Sequence, residues 1–332
     1  MDQQKQFDVI AIGDTTQDIF LQMSDASLQC DLDGNNCKIC FDYADKIAVE
    51  KKTDIAGVGN AANHAIGVAR LGLRSALYTV VGDDDQGHKA KRILEENKVD
   101  TKYVMFDKKR STNLSIVINF RSERTIFVYH EPREYQLPQL DPAKWVYLTS
   151  ASGDGVETLH QQTLTYLTKN SNVKLAFNPG THQMHLGKEK LLPLLKRTEI
   201  SFLNREECQR VLDVKTREIK ELAQGFHAIG VKIMVITDGP KGSYVSDGKQ
   251  IWFLDIFDGP VVERTGTGDA YGSGFLSAII KGQDIPTAML WGNANSTSKV
   301  QYIGAREGLL QEDGILHMIE EQAGIKPTVY KS

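Results

Sequence analysis

The stretch that decides the fold runs Val262-Glu263-Arg264-Thr265-Gly266-Thr267-Gly268-Asp269-Ala270-Tyr271-Gly272-Ser273-Gly274-Phe275. Three small residues, Gly266, Thr267 and Gly268, separate an apolar pair from a run that becomes helical at Asp269. Glycine allows tight backbone angles and lets the chain approach a ligand closely. A turn that leads into a helix directs unpaired N–H groups and the positive end of the helix dipole at one point. The stretch therefore predicts a phosphate-binding site.

Asp269 lies at the mouth of this turn. A carboxylate beside an anion site is electrostatically unfavourable, so its presence indicates a chemical task. Taking a proton from a hydroxyl that attacks a phosphate is such a task, which makes Asp269 a candidate general base. In the alternative interpretation, Asp269 is a helix N-cap and the glycines form an ordinary turn.

Composition excludes several classes of protein. The chain has 332 residues, of which 41% are hydrophobic and 25% charged, and this is typical of a globular protein with a large core. The net charge of −4 and the lack of a basic block give no support to nucleic-acid binding. No apolar run has membrane-spanning length, and the N-terminal residues lead into a strand rather than a signal peptide. We therefore predict a cytoplasmic protein with no membrane partner.

Strand patterns alternate with helical patterns along most of the chain. Apolar runs near 7–12, 76–83, 145–150, 174–179, 200–204 and 233–239 predict strands, and the segments 57–72, 86–97, 205–212 and 216–229 predict helices. This alternation predicts a mostly parallel central sheet with helices on both faces, in one α/β domain over residues 1–332.

Two segments depart from the alternation. Residues 19–56 show strand patterns around a polar loop and no helical pattern, which indicates a small β insertion away from the main sheet. Residues 115–129 predict a hairpin.

Polar side chains follow the first predicted strand and begin the first predicted helix. Asp14 and Asp18 come just after the strand, at the edge where open α/β sheets bind ligands. Asn63 lies near the start of the helix, one residue from its buried stripe, where its side chain can reach that edge. The alternative is an Asn on the protein surface.

Five short motifs, in this order, resemble those of the PfkB/ribokinase family of sugar and nucleoside kinases. They are Gly13-Asp14-Thr15-Thr16-Gln17-Asp18, the run Gly59 to Gly72 with Asn63, the Asn204-x-x-Glu207 pair, Thr237-Asp238-Gly239-Pro240-Lys241-Gly242, and Thr265-Gly266-Thr267-Gly268-Asp269. The resemblance covers nearly the whole chain and implies a ribokinase-like fold.

The resemblance also implies roles for individual residues. Asp269 is the catalytic base, and the amides of Gly266, Thr267 and Gly268 form the anion hole. Hydroxyl groups of the substrate bind at four positions, Asp14, Asp18, Gly59 and Asn63. ATP binds near six positions, Asn204, Glu207, Thr237, Gly239, Gly242 and Asn293, with Glu207 holding Mg²⁺ through water.

Structural alternatives remain open for several of these positions. Asn204 and Glu207 fit a strand-end turn followed by an acid in the first turn of a helix, and Asn293 fits a helix surface. The resemblance makes residues 19–56, together with 115–129, a β lid over the substrate, and it implies a homodimer that pairs through this lid.

The implied activity is ATP-dependent transfer of the γ-phosphoryl group to a hydroxyl of a sugar such as ribose or fructose. Two alternatives are a nucleoside kinase of the same family and a non-catalytic sensor that binds a sugar or nucleotide. No Gly-x-Gly-x-x-Gly follows the first strand, which argues against a Rossmann-type dehydrogenase.

The sequence departs from the family pattern at Glu263-Arg264, where the family has Asp-Thr. In the family, the acidic residue helps to form a monovalent-cation site. The longer Glu263 and the fixed charge of Arg264 argue against potassium activation. Arg264 could contact a phosphate instead, or pair with Glu263. A second departure, Val58-Gly59 in place of Gly-Gly, alters the substrate loop.

Three cysteines, Cys30, Cys37 and Cys40, crowd a short polar stretch. The Cys-x-x-Cys spacing occurs at zinc sites, but no fourth ligand is evident. We therefore favour reduced thiols over a zinc clip, because a reducing cytosol does not keep disulfides.

Overall fold

The computed structural model describes residues 6–31, 37–121 and 123–331. Its strands, in chain order, are β1 Phe7–Ile12, β2 Thr16–Met23, β3 Ser27–Cys30, β4 Cys37–Cys40, β5 Val49–Val58, β6 Ser75–Gly82, β7 Val104–Asp107, β8 Asn113–Phe120, β9 Glu123–Tyr129, β10 Ala143–Leu148, β11 Lys174–Phe177, β12 Thr198–Asn204, β13 Ile233–Thr237, β14 Ser243–Ser246, β15 Ile251–Leu254 and β16 Thr328–Val329. The helices are α1 Asn60–Arg70, α2 Asp85–Glu96, α3 Val156–Lys169, α4 Thr181–His185, α5 Lys188–Arg197, α6 Arg205–Leu212, α7 Ile219–Ile229, α8 Thr267–Ile280, α9 Ile285–Lys299 and α10 Glu312–Glu321.

The main sheet has the strand order β16-β15-β14-β13-β12-β11-β10-β1-β6-β7. Neighbours from β13 to β7 run parallel, whereas β14, β15 and β16 add an antiparallel edge. The predicted α/β fold with a mostly parallel sheet is confirmed. Parallel strands linked through helices bring their carboxyl ends to one edge of the sheet, and this edge carries the site described below.

Each face of the main sheet has its own apolar core. Alternate residues of β1 point to opposite faces: Ile10 and Ile12 join one cluster, and Val9 and Ala11 join the other. Because both faces are covered, the strand reads as a nearly continuous apolar run. The second cluster includes the small residues of α1 and much of α8, so these two helices pack against the same face.

A second sheet has the order β5-β2-β8-β9, and a third consists of the β3–β4 hairpin. The second sheet combines strands from the predicted insertion with those of the predicted 115–129 hairpin. Strand β2 begins at Thr16, three residues earlier than the predicted start of the insertion, because it pairs with Val58 and Asn113 at that point.

The cysteine prediction is wrong for one pair. Strands β3 and β4 place Cys30 directly opposite Cys37, and the structure joins them in a disulfide. Opposed residues in an antiparallel pair bring their side chains close together, which spacing along the chain does not reveal. Cys40 is free and half-buried. A zinc clip thereby loses two of its ligands, and the described residues contain no group of three or more His, Cys, Asp or Glu side chains suited to a metal.

Among the residues that the structure describes, no helix has the length and apolar character needed to cross a membrane.

Candidate active site

A cavity of about 520 Å³ lies between the carboxyl edge of the main sheet and the second sheet. Most of the predicted site residues line it, from distant parts of the chain. They are Asp14, Asp18, Gly59, Asn63, Asn204, Glu207, Thr237, Gly266, Thr267, Gly268 and Asp269. Three predicted nucleotide-binding residues, Gly239, Gly242 and Asn293, are not part of the lining.

Asp269 lies in the first turn of α8, with 6% of its surface exposed. Gly266 is the N-cap of this helix, so the interpretation of Asp269 as an N-cap is wrong. Asn63 donates a hydrogen bond from Nδ2 to Asp269 Oδ2 at 2.8 Å. Burial raises the pKa of Asp269 to about 7, although the bond from Asn63 opposes the shift. A carboxylate with this pKa is suited to accept a proton near neutral pH.

The turn before Asp269 has the geometry of an anion site. Gly266 has φ of 78°, and a Cβ there would lie 2.7 Å from both the Cβ and the carbonyl oxygen of Ala305. Glycine is therefore needed at this position. The N–H of Thr267 donates to the carbonyl of Arg264 at 3.3 Å, whereas the N–H groups of Gly266 and Gly268 find no acceptor in the described part of the chain. These two amides and the start of α8 favour a bound anion.

At the end of the cavity next to β1, polar contacts fix the carboxylate of Asp14. Tyr135 donates from its hydroxyl to Oδ1 at 2.5 Å, and Ser152 donates from Oγ to Oδ2 at 2.6 Å. The Ser152 Oγ also lies 2.8 Å from His130 Nδ1, and His130 reaches the cavity wall. This network orients a carboxylate and an imidazole toward the same space.

Asp18 lies on β2 and is 7% exposed. Burial raises its pKa to about 6, with a hydrogen bond from Ser115 acting in the opposite direction. Gly59 lies nearby with φ of 105°, and a Cβ there would lie 2.8 Å from the carbonyl oxygen of Asp14. The backbone is thus closely packed where the resemblance places substrate hydroxyls.

Asn204 and Glu207 form a reciprocal capping box at the start of α6. Glu207 donates from its N–H to Asn204 Oδ1, and Asn204 donates from its N–H to Glu207 Oε2, each at 2.8 Å. The structural alternative for this pair is therefore present, and both residues still line the cavity. Burial raises the pKa of Glu207. Its Oε1 accepts no hydrogen bond from the described residues.

Gly239 and Gly242 flank a short turn beyond Thr237, and Asn293 lies within α9. Asn293 is buried and donates from Nδ2 to the carbonyl of Asp255 at 2.9 Å, so it does not lie on a helix surface. The structure thus separates these three residues from the cavity wall.

Glu263 does not pair with Arg264. Its Oε1 accepts a hydrogen bond from Arg124 Nη1 on β9 at 3.1 Å, and its Oε2 lies 3.4 Å from Lys299 Nζ. Arg264 is exposed on the cavity wall, and its guanidinium has no partner among the residues described.

Sequence reasoning missed several residues of this region, among them Ser115, His130 and Lys299. Ser115 lies inside a strand with an ordinary alternating pattern, and nothing in the sequence marks it. Lys299 carried a weak signal, because it follows Ala288, Trp291 and Asn295 at helical spacing on a buried stripe of α9. A lysine on such a stripe predicts a buried charge.

Comparison with known proteins identifies the class that this fold and cavity define. Residues 27–312 match the family described as pfkB family carbohydrate kinase. The chain therefore belongs to this family.

Individual relatives cover nearly the full chain. It is 26% identical to an ATP-dependent 6-phosphofructokinase of Thermoanaerobacterium thermosaccharolyticum, over 95% of both chains. It is 27% identical to a nucleoside kinase of Methanocaldococcus jannaschii, over 79% of this chain and 85% of that one. The structure of Arabidopsis thaliana ribokinase complexed with ribose and ATP superposes with a TM-score of 0.77 at 18% identity, covering 95% of this chain and 99% of the ribokinase. The ribokinase-like fold is thereby confirmed.

Proposed function

We propose that this protein transfers the γ-phosphoryl group of ATP to a hydroxyl of a sugar, with Asp269 as the general base. The observation that carries the proposal is the position of Asp269. This buried carboxylate has a pKa raised to about 7 and lies in the first turn of α8, beside the N–H groups of Gly266 and Gly268, which have no acceptor among the described residues. A proton acceptor next to an anion site is what transfer to a hydroxyl requires.

In the proposed step, a hydroxyl of the substrate gives its proton to the carboxylate of Asp269. The hydroxyl oxygen attacks the γ-phosphorus, the bond from this phosphorus to the oxygen shared with ADP breaks, and ADP leaves with the electron pair. The N–H groups of Gly266 and Gly268 stabilise the negative charge on the transferring group. The proton stays on Asp269 until solvent removes it.

ATP and Mg²⁺ would bind at the Asn204 end of the cavity. Glu207 fits a role near Mg²⁺ because Oε2 is engaged in the capping box and Oε1 is left without a partner in the described residues. The described residues contain no cluster of three side chains suited to hold a metal. Mg²⁺ would therefore depend on phosphate oxygens and water for most of its ligands. Bound Mg²⁺ neutralises phosphate charge. We also assign Thr237, Gly239, Gly242 and Asn293 to the surroundings of the nucleotide, the last three outside the cavity wall.

The sugar would bind between Asp14, Asp18, Gly59 and Asn63. The Oδ1 atom of Asn63 is buried and has no hydrogen-bond partner among the described residues, so it can accept a bond from a substrate hydroxyl. The nearby carboxylates accept further hydrogen bonds from substrate hydroxyls.

A nucleoside is the second candidate substrate, because Val117, Ile126 and Val128 form an apolar wall on the second sheet that suits a nucleobase.

We assign the second sheet the role of a lid that excludes water during transfer. Ile126 and Val128 of β9 line the cavity, and their neighbours Phe127 and Tyr129 are 54% and 55% exposed. Pairing of two chains through this exposed strand would cover these rings, which supports a homodimer. The molar mass in solution, measured for the wild type and for Phe127→Glu, tests this assembly.

The experiment that tests the proposed function measures ADP release from Mg-ATP with a panel of pentoses, hexoses, sugar phosphates and nucleosides. A rate that depends on one acceptor class supports the kinase and names the substrate. ATP binding without transfer to any acceptor would favour the non-catalytic sensor.

A further inference from the structure

Lys299 is the last residue of α9, and its side chain is completely buried. The ammonium group donates to the carbonyl oxygen of Glu263 at 2.9 Å. It also lies 3.4 Å from Glu263 Oε2 and 3.4 Å from the carbonyl oxygen of Tyr302. The three hydrogens of the ammonium thus face three oxygens. Carbonyl and carboxylate oxygens around one positive charge are also the surroundings that a protein offers to a bound potassium ion.

These three oxygens lie directly beneath the anion loop, which we define as residues 263–268. The N–H groups of Val262 and Glu263 donate to the carbonyl of Val300 at 2.8 and 3.0 Å. Farther along the loop, Gly266 packs against the backbone of Ala305. The anion loop therefore rests on residues 300–305, and Lys299 bonds to both segments.

The positive charge of the Lys299 ammonium and the negative charge of the Glu263 carboxylate stabilise each other. Burial lowers the pKa of Lys299, and the negative charge of Glu263 opposes that shift. Burial also disfavours the charged form of Glu263, but hydrogen bonds from Thr265 and the charge of Lys299 hold its pKa below the ordinary value. The carboxyl end of α9 adds a further negative potential at Lys299.

The resemblance to the family implies a monovalent-cation site at the acidic residue that is Glu263 here. The residues present do not fit a dissociable ion, because the Lys299 ammonium already occupies the space between these oxygens. We infer that Lys299 is a positioning residue whose ammonium takes the place of a dissociable monovalent cation beneath the anion loop, so that phosphoryl transfer requires no potassium. The effect on phosphoryl transfer rests on the proposed kinase function, whereas the position of the Lys299 ammonium in the cation site does not.

The first test compares wild-type turnover in potassium salts with turnover in tetramethylammonium salts at constant ionic strength. We expect the same kcat and KM in both. Stimulation of the wild type by potassium would overturn the inference. Absence of turnover with every acceptor in both salts would instead count against the proposed function, and the melting measurements below do not depend on turnover.

The second test uses two substitutions of the same residue. Lys299→Ala removes the ammonium and leaves space, whereas Lys299→Met fills most of that space without charge. We expect each to lose on the order of tenfold to a hundredfold in kcat/KM, because the anion loop loses its support. Potassium or ammonium ions should restore Lys299→Ala in part and leave Lys299→Met unchanged.

The melting temperatures of Lys299→Ala and Lys299→Met test the inference without any measurement of activity. Potassium should raise the melting temperature of Lys299→Ala and should not change that of Lys299→Met or the wild type. A folded Lys299→Ala variant with wild-type kcat/KM in the absence of any small cation would overturn the inference, as would equal responses of the two variants to potassium.

Discussion

Asn63 and Asp269 lie 206 residues apart in the chain and are joined by a 2.8 Å hydrogen bond inside the cavity. The bond links the first turns of α1 and α8, which pack on the same face of the main sheet. It fixes the direction of the Asp269 carboxylate and partly offsets the effect of burial on its pKa. The reactivity of the Asp269 carboxylate on α8 therefore depends on a side chain of α1.

The pH dependence of kcat/KM should report Asp269. Burial raises its pKa to about 7, and a general base acts only when it is deprotonated. We therefore expect kcat/KM to rise as the pH increases through about 7 and to level off above it. Steady-state kinetics across this range checks the prediction. A rate that is already maximal in mild acid would contradict it.

Replacing Asn63 should move that pH profile. Asn63→Ala removes the hydrogen bond that lowers the pKa of Asp269, so the acid limb of kcat/KM should shift to higher pH. The KM for the acceptor should also increase, because Asn63 Oδ1 is lost. Asn170→Ala, at the end of α3 and away from the cavity, is the matched control and should change neither quantity. An unshifted limb in Asn63→Ala would sink this prediction.

Asp269→Asn should stabilise the folded protein at alkaline pH. Because the folded-state pKa is raised from 3.8 to about 7, the native state binds more protons than the unfolded state between these values. Ionised Asp269 therefore lowers the free energy of unfolding as the pH rises through this window, by up to a few kcal/mol. Urea unfolding should show a larger gain for the variant above neutral pH than in mild acid. Equal differences at both pH values would be inconsistent with a raised pKa.

A methyl group should destabilise the protein at one glycine of the anion loop and not at another. Gly266→Ala combines a positive φ of 78° with a contact of 2.7 Å to Ala305, so it should lower the melting temperature and remove activity. A Cβ on Gly268 meets no atom of the described residues within 4 Å, so Gly268→Ala should melt like the wild type. Differential scanning calorimetry of both variants checks the contrast. Similar melting temperatures for the two would mean that the loop is not held against Ala305.

The sequence was sufficient for the fold and for much of the cavity wall because both depend on local patterns. The apolar run of β1 and the small residues of α1 identify buried elements, and the glycines before Asp269 identify the turn. Contacts between distant segments leave no such pattern. The bonds from Lys299 and Arg124 to Glu263 depend on packing between α9, β9 and the anion loop. Likewise, the Cys30–Cys37 pair depends on strand register.

The central claim is that Asp269 serves as the base for transfer of a phosphoryl group from ATP to a hydroxyl. Its most direct test is a single-turnover experiment with ATP radiolabelled in the γ-phosphate, the acceptor identified by the panel, and either wild-type protein or Asp269→Asn. We predict that the label appears in the phosphorylated acceptor with the wild type. The variant should retain ATP binding and form no labelled product. Transfer by Asp269→Asn at a rate close to that of the wild type would contradict the claim.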